Sequence, residues 1–122
     1  SLASGSFQRD GMIIAPCTVK TMSALANSYA ENLIIRAGDV TLKERKPLVL
    51  VVRETPLHLG HLRSMVRLTE MGAIIFPPVP SFYDKPKAIN DIINNTVGRI
   101  LDLFNIKHNL SHRWLGLTSS DA

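Results

Sequence analysis

PLVLVVRETP, residues Pro47–Pro56, is the most informative stretch of this 122-residue chain. Its centre, Leu48–Val52, is an unbroken run of apolar residues between turn signals, which predicts a strand buried on both faces of a parallel sheet. Arg53 and Glu54 follow directly. Ligands bind at the carboxyl ends of strands in open α/β sheets, so this pair is a candidate site. An ordinary ion pair on a surface loop is the alternative.

The segments on either side alternate between strand and helix patterns. Met12–Pro16 and Ala73–Phe76 are short apolar runs that predict two more strands. Apolar residues at helical spacing predict four helices. Thr18 caps the first, which runs through Tyr29, and the next two are Glu31–Arg45 and Leu57–Met71, which Gly72 ends. The fourth, Ala88–Phe104, follows a loop at Ser81–Pro86. Right-handed crossovers would make the three strands parallel neighbours, which predicts an α/β fold.

The later helices each have an apolar side, and we predict that the apolar side of the fourth helix is buried. These sides carry Leu33, Ile34, Ala37, Val40 and Thr41 in the second helix, Leu62, Met65, Val66 and Met71 in the third, and Ile89, Ile92, Ile93, Val97, Ile100, Leu101 and Phe104 in the fourth. The first strand would keep an unpaired edge, which natural sheets avoid. We therefore expect either that the chain is the carboxyl-terminal part of a larger domain or that another chain covers this edge.

Composition narrows the classes of function. The apolar fraction of 45%, the charged fraction of 20% and the net charge of +4 are those of a soluble globular chain. We expect no signal segment, and no apolar run is long enough to span a bilayer. Basic residues are dispersed and aromatic residues are few, which argues against a nucleic-acid groove. Cys17 is the only cysteine, so no internal disulfide can form, and a reducing, cytoplasmic location is expected.

Three further groups of polar residues are candidates for a site. The segment Cys17–Thr21 opens a helix directly after a strand, where free amides can bind an anion; an ordinary capped helix is the alternative. His58 and His61 have a spacing that suits a metal, but no third ligand lies near them in the sequence. The KERK run, Lys43–Lys46, is typical of a solvated helix end, where cations are favourable to the helix dipole.

Longer motifs resemble one known family. The motifs are SGSF (Ser4–Phe7), DGMIIAPCTVKT (Asp10–Thr21), RAGDVTLKER (Arg36–Arg45), LVLVVRETPLHLGHL (Leu48–Leu62), GAIIFPPVPSFY (Gly72–Tyr83) and RW (Arg113, Trp114). Together they resemble the UbiX flavin prenyltransferases, which older usage calls phenylacrylic or aromatic acid decarboxylases. The resemblance runs from Ser1 to about Gly116 without a gap.

The resemblance implies a fold and an assembly. The family has a Rossmann-like flavoprotein domain, with three layers around a parallel sheet, and usually forms a dodecamer. Residues 1–116 would be the carboxyl-terminal part of that single domain, without its first strands, and residues 117–122 would be a tail. The family's first strand carries a glycine- and serine-rich turn that cradles the flavin phosphate, and we find no counterpart of that turn here.

The resemblance also implies a reaction. The family joins the dimethylallyl group of dimethylallyl phosphate to N5 and then C6 of reduced FMN, without a metal. The product is the prenylated FMN cofactor of UbiD-type decarboxylases, which are the implied recipients. Basic groups and a tyrosine hydroxyl would stabilise the leaving phosphate in place of a metal. A dry pocket would keep water from the allylic cation.

Residue by residue, the resemblance assigns roles to positions of this sequence. The implied contacts to flavin are Thr18, Val19, Lys20, Thr21 and Arg53. The implied contacts to the prenyl phosphate are Ser4, Gly5, Arg36, Lys43, Tyr83 and Arg99, and the catalytic residues would be Glu54, Lys43 and Arg36. Trp114 corresponds to a tryptophan of a tail near the site.

Two alternatives belong to other classes. The chain could be an inactive fragment or a flavin-binding module without catalysis, as the unmatched phosphate turn suggests. It could also decarboxylate aromatic acids directly, but that reaction needs an electron sink that reduced FMN alone supplies poorly.

Overall fold

A computed structural model describes residues 10–110 of the chain. The described residues fall into two units, divided between Pro78 and Val79. Each unit is described by itself.

The first unit contains a parallel sheet of three strands in the order β1-β2-β3. The strands are β1 (Met12–Cys17), β2 (Leu48–Val52) and β3 (Ala73–Ile75). Helices α1 (Val19–Ala26) and α2 (Leu33–Lys43) form the crossover from β1 to β2, and α3 (Leu59–Glu70) forms the crossover from β2 to β3. The predicted α/β fold with parallel neighbouring strands is therefore confirmed.

Strand β2 is the centre of this unit, as its sequence predicts. All five of its residues are buried, because β1 and β3 pair with its two edges and side chains cover both of its faces. Alternate residues Leu48, Leu50 and Val52 belong to a core cluster with Ile14, Cys17, Met22, Ala24, Leu25, Ala26, Ile35, Leu68 and Ala73. The other edge of β1 pairs with no strand among residues 10–110.

Helix α1 begins as predicted but ends earlier. The Thr18 hydroxyl accepts a hydrogen bond from the Thr21 amide at 3.1 Å, which confirms Thr18 as the N-cap. Ser28 has a left-handed backbone with φ of 54°, and the Tyr29 amide donates back to the Ala24 carbonyl at 2.8 Å. This turn closes the helix at Ala26, so the predicted continuation through Tyr29 is wrong.

Helix α2 is shorter than the predicted Glu31–Arg45. Asn32 caps its start by accepting from the Ile35 amide at 2.9 Å. Arg45 has a φ of 60°, and the Lys46 amide donates to the Thr41 carbonyl at 3.0 Å, so the chain turns out of the helix directly after Lys43. Both ends are therefore set by hydrogen bonds that apolar spacing does not report.

The apolar side of α2 that the spacing predicts is buried at three residues and exposed at two. Ala37, Val40 and Thr41 are buried, whereas Leu33 and Ile34 are 60% and 54% exposed. Successive residues of a helix are rotated by about 100°, and this places Leu33 and Ile34 on the same side as the buried residues. They occupy its first turn, where the rest of the protein leaves more than half of each side chain uncovered.

Helix α3 shows the same difference. It spans Leu59–Glu70 instead of Leu57–Met71, and Gly72 follows with a φ of +107°, as expected for a helix end. Leu68 is fully buried, but Leu62 and Val66 are 45% and 59% exposed. The buried anchor of this helix was therefore not among the residues predicted from its apolar spacing.

The second unit contains α4 (Ile89–Asp102), slightly shorter than the predicted Ala88–Phe104. Ile100 is buried, and Ile92, Leu101 and Phe104 are half-buried. Ile89, Ile93 and Val97 are 76%, 50% and 39% exposed, so the predicted buried stripe is wrong for these three residues. The apolar spacing identified one side of the helix, but it could not say how much of that side is covered.

Candidate functional site

The parallel register brings two polar segments to one edge of the sheet. Cys17 of β1 is the partner of Val52 of β2, and each is the last residue of its strand. Thr18 and Arg53 therefore leave the sheet side by side. We call residues 18–21 and 53–54 the carboxyl edge; the structure brings these predicted site residues together.

The start of α1 gives the carboxyl edge hydrogen-bond donors. The first intrahelical bond runs from the Met22 amide to the Thr18 carbonyl at 2.9 Å, so the Val19 and Lys20 amides precede it and have no acceptor within the helix. The Thr18 and Thr21 hydroxyl oxygens lie 3.2 Å apart, and Lys20 is exposed. This arrangement suits an anionic group.

Arg53 and Glu54 are exposed at the start of the loop that joins β2 to α3. Neither side chain has a hydrogen bond or ion pair with any residue between 10 and 110. The alternative of a surface ion pair between these neighbours is therefore not found in the structure. Their guanidinium and carboxylate groups are available to a ligand.

The structure separates Lys43 from that edge. Strand β1 ends at the carboxyl edge, and β2 begins at the opposite end of the sheet, so the connection must return along the strands. Lys43 is the last residue of α2 and precedes the first residue of β2 by five positions. Arg36 lies seven residues earlier, which places it about 10 Å nearer the carboxyl edge along the helix axis. Both side chains are exposed.

The remaining predicted site residues lie in the second unit or outside the described residues. Tyr83 is 75% exposed in a turn where the Lys85 amide donates to the Phe82 carbonyl at 3.0 Å. Arg99 is exposed in the last turn of α4. Ser4, Gly5 and Trp114 lie outside residues 10–110, and so does the predicted tail at 117–122.

His58 and His61, which were considered as a pair of metal ligands, form the N-terminal cap of α3. The His61 amide donates to His58 Nδ1 and the His58 amide donates to His61 Nδ1, both at 3.3 Å. The two rings stack with centroids 3.6 Å apart and planes 18° from parallel. Between residues 10 and 110, no group of three or more His, Cys, Asp or Glu side chains is placed to hold a metal. The spacing was noticed in the sequence, but its role was not.

A second histidine contact was missed entirely. His108 Nε2 lies 2.7 Å from Asp102 Oδ1, and His108 Nδ1 accepts from the Leu110 amide at 3.0 Å. The ring is 5% exposed, so this pair organises the turn after α4. No spacing rule marks such a contact, because the two residues lie on either side of a helix end.

Cys17 lies next to the carboxyl edge but is not a nucleophile. Its side chain is 2% exposed, and burial raises the pKa of the thiol to about 11. The sulfur donates to the Thr18 carbonyl at 3.6 Å. The thiol therefore stays protonated at neutral pH and serves the core.

No helix among the described residues is long and apolar enough to cross a membrane. A cavity of about 320 Å³ lies in the second unit beside the Tyr83 turn and is lined by Ser81, Asp84, Lys85, Pro86, Lys87, Asp91, Asn94, Asn95 and Leu110. Neither Tyr83 nor Arg99 contributes to its lining.

A family model and the sequences of known proteins relate this chain to the same family. A family model described as Flavoprotein matches residues 1–101. A flavin prenyltransferase UbiX of Thauera aromatica is 60% identical over 116 residues, which cover 95% of this chain and 60% of the relative. The resemblance predicted from the motifs is thereby confirmed. The chain spans about 60% of the length of the curated relatives it matches.

Two solved structures share the fold. AnUbiX, in complex with FMN and dimethylallyl pyrophosphate, superposes with a TM-score of 0.90 at 52% identity, over 93% of this chain and 60% of that one. A dodecameric, FMN-dependent UbiX-like decarboxylase from Escherichia coli O157:H7 gives a TM-score of 0.89 at 46% identity, over 94% of this chain and 62% of that one.

Proposed function

This chain belongs to the Flavoprotein family, and from that premise we propose that it acts in a flavin prenyltransferase. The reaction joins a dimethylallyl group, from a dimethylallyl phosphate ester, to N5 and C6 of reduced FMN. The product serves a UbiD-type decarboxylase. The observation that carries the proposal is the 60% identity to the Thauera aromatica flavin prenyltransferase.

The carboxyl edge has a donor set that fits part of FMN. The amides of Val19 and Lys20 and the hydroxyl of Thr21, which accepts from the Thr18 hydroxyl, offer hydrogen bonds to flavin oxygens or to an anion. Arg53 adds a guanidinium group that is free of other described partners. FMN would supply the nucleophilic nitrogen and carbon; the protein supplies orientation and charge.

Basic side chains would promote departure of the phosphate. Breaking the allylic C–O bond leaves negative charge on the phosphate oxygens, which arginine can bind in bidentate geometry and lysine as a point charge. The proposed set is Arg36, Lys43, Tyr83 and Arg99, with Ser4 and Gly5. Preorganised donors of this kind are usually the largest single contribution to catalysis. No metal is proposed.

Glu54 would handle the proton that must leave the flavin nitrogen when it is alkylated. Glu54 follows Arg53 at the end of buried strand β2, at the carboxyl edge where we propose that flavin binds. Its carboxylate has no described partner that would neutralise it. Positioned acids and bases of this kind contribute about 10²- to 10⁴-fold in rate. Trp114, which the resemblance assigns to a tryptophan near the site, would help exclude water from it.

The site would be completed by assembly. Lys43 lies at the opposite end of the sheet from Arg53 and Glu54, so it would act in the site of a neighbouring subunit. Exposed apolar side chains, among them Leu33, Val66 and Ile89, provide surface that association would bury. A dodecameric relative exists at 46% identity, and we propose a homo-oligomer here.

The proposal is tested by anaerobic incubation with reduced FMN and a dimethylallyl donor, supplied in parallel as the monophosphate and as the diphosphate. The enzyme is the 122-residue chain and, alongside it, the same residues joined to the remaining segment of the Thauera aromatica relative. Product is detected by its mass and by activation of a UbiD-type apo-decarboxylase. A joined protein that binds FMN but forms no product with either donor would overturn the proposal.

An inactive fragment, or a flavin-binding module without catalysis, is the second candidate, because the chain matches only about 60% of its relatives' length. The resemblance assigns the flavin phosphate to a turn that has no counterpart in the motifs of this sequence. We therefore expect residues 1–122 alone to bind FMN weakly and to show no turnover. Quenching of FMN fluorescence measures this, and micromolar or tighter binding by a folded sample would contradict the division of the site.

A further inference from the structure

An apolar groove lies at the end of the sheet opposite to the carboxyl edge. It is a cavity of about 330 Å³ where α2 ends and where β2 and β3 begin. Its apolar lining comes from Leu42, Pro47, Met71 and Ile74, and its two cations are Arg45 and Lys46. We call these six residues the amino-end groove. The four apolar residues are only half-buried, so the groove leaves apolar surface in contact with water.

Lys43 lies beside the amino-end groove. It directly follows Leu42 in the chain, so the Cα atoms of these two residues are about 3.8 Å apart. Arg45 follows Lys43 by two residues and also lines the groove. Arg45 and Lys46 belong to the KERK run, of which the proposed function uses only Lys43. Any surface that covers this groove therefore comes close to Lys43.

A second apolar surface lies beside Glu54. Leu57 and Leu59 are 38% and 58% exposed, and neither belongs to the core cluster of the described residues. Leu57 follows Glu54 by three residues, so their Cα atoms are at most about 11 Å apart. Folding of the described chain thus leaves apolar side chains uncovered next to the residue that would handle the flavin proton.

These two surfaces cannot meet within one chain. Leu59 is the first residue of α3, and Met71 of the groove follows the last residue of that helix. Twelve residues of helix separate the two positions by about 18 Å along the axis. Contact between the surfaces is available only between two copies of the chain.

We propose that the segment Leu57–Leu59 of one copy occupies the amino-end groove of a second copy. The proposal rests on the proposed function for the assignment of Lys43 to the site of a neighbouring subunit. Copies seated in this way bring Lys43 next to the segment that carries Glu54, and the same contact covers both apolar surfaces. Because the two surfaces differ, the contact is head-to-tail and forms a ring if the rotation between copies closes.

A second copy explains more of the surface than other occupants do. A fatty acid would match an apolar groove that carries two cations, and so would an added segment of the same chain. Either of these would leave Leu57 and Leu59 exposed at the other end of the sheet. Neither would bring Lys43 to Glu54. One contact between copies does both.

A photoreactive group in the groove identifies its occupant. Lys46→Cys is labelled with benzophenone maleimide, in the 122-residue chain and in the joined protein, from whose added segment any cysteine is replaced by serine. Cys17 does not react, because burial raises the pKa of its thiol to about 11. Chains with heavy and light isotopes are mixed and illuminated. Mass spectrometry should find residues 57–59 of a different copy as the main protein target.

Leu59→Asp tests the contact from the other side. Residue 59 opens α3, where a negative charge is favourable to the helix dipole, so the fold should be kept. An aspartate in an apolar groove loses its hydration, so we expect capture of residues 57–59 to fall about ten-fold or more. The oligomer should also become smaller by light scattering. Leu59→Met is the matched control, because it keeps an apolar side chain, and it should retain both capture and size.

Several outcomes would overturn the proposal. They are capture of another segment in place of residues 57–59, capture of no protein together with a fatty acid retained in native mass spectra, unchanged assembly in Leu59→Asp, and a monomer in both proteins. None of these measurements needs catalysis. Capture of residues 57–59 without prenyl transfer would count against the proposed function and leave the contact in place, whereas prenyl transfer without this capture would reject the contact alone.

Discussion

Glu54 and Glu70 are both exposed carboxylates, and the difference between them tests the proposed chemistry at the scale of one residue. Glu54→Gln should retain FMN but lose about 10²- to 10⁴-fold in the rate of prenyl transfer, because the shape stays while the proton acceptor is removed. Rates and flavin content of the assembled enzyme measure this. Glu70→Gln, at the far end of α3, is the control and should have a normal rate. A near-normal rate in Glu54→Gln would remove this residue from the mechanism.

Cys17 makes a contribution to stability that depends on pH. Burial raises the pKa of its thiol from 9.0 to about 11, so the folded state disfavours the thiolate relative to the unfolded chain. The stabilising contribution is fully present below about pH 9 and is lost as the pH rises towards 11. Its upper limit is about 2–3 kcal/mol, since one pKa unit corresponds to about 1.4 kcal/mol.

Urea unfolding between pH 8 and pH 11 tests this assignment. The unmodified protein should lose more stability over this range than Cys17→Ala, in which lysine and tyrosine titrate as before but the thiol is gone. The variant should be less stable at pH 8, because it leaves a small cavity in the core. Parallel curves for the two proteins would mean that Cys17 ionises as easily in the folded state as in the unfolded chain.

At the scale of single elements, the helices of this protein end at residues that are not glycine. Ser28, Arg45 and Asn105 have φ values of 54°, 60° and 59°, two or three residues after the ends of α1, α2 and α4. A left-handed backbone costs about 1–2 kcal/mol in most residues other than glycine, although asparagine adopts it more readily. Among the helices of residues 10–110, only α3 is followed by a glycine in this conformation, Gly72. At Ser28 and Arg45 the side chain therefore opposes the turn.

Arg45→Gly should stabilise the protein for this reason. Relief of the left-handed strain, less the greater chain entropy of glycine, predicts a gain of about 0.5–1 kcal/mol in the free energy of unfolding. Arg45→Ala is the matched control, because it removes the same charge but keeps a Cβ atom. Chemical denaturation at one protein concentration compares the two. A gain in Arg45→Ala equal to that in Arg45→Gly would assign the effect to charge.

These helix ends also show what the sequence could and could not predict. Five consecutive apolar residues between turn signals are typical of a buried strand, so β2 was predicted with its correct bounds. The ends of α1 and α2 depend on the left-handed backbones of Ser28 and Arg45, and neither residue type marks that conformation as glycine does. Leu33 and Val66 lie on the predicted apolar sides but are exposed, because periodicity gives the direction of a side chain but not what covers it.

The candidate site also has parts that the sequence could predict and parts that it could not. Thr18 could be identified as an N-cap because a threonine before an apolar helix follows a general rule. The His58–His61 cap could not be identified, because it depends on which ring nitrogen meets which amide. Roles for Arg36, Tyr83 and Arg99 came only from the family resemblance and stay predictions. Their side chains are exposed, as those of ordinary surface charges would be.

At the scale of the whole molecule, the topology places Lys43 away from the carboxyl edge. A right-handed crossover between neighbouring parallel strands must end at the amino end of the second strand, and α2 ends there. If Lys43 acts on the substrate phosphate, it acts in another copy of the chain. This requirement can be tested without knowing the arrangement of the oligomer.

Hybrid oligomers provide the test. Chains with Lys43→Ala and chains with Glu54→Gln are each expected to be nearly inactive alone. When they are mixed in equal amounts and reassembled, about a quarter of shared sites should receive Lys43 from one chain and Glu54 from another, which restores about a quarter of the activity. The control mixes unmodified chains with chains that carry both substitutions. A shared site again predicts about a quarter of full activity, whereas a site within one chain predicts about half, because every unmodified chain then keeps a complete site. Inactive Lys43→Ala and Glu54→Gln hybrids, together with half activity in the control, would place Lys43 in the site of its own chain and would contradict the position that the crossover gives it.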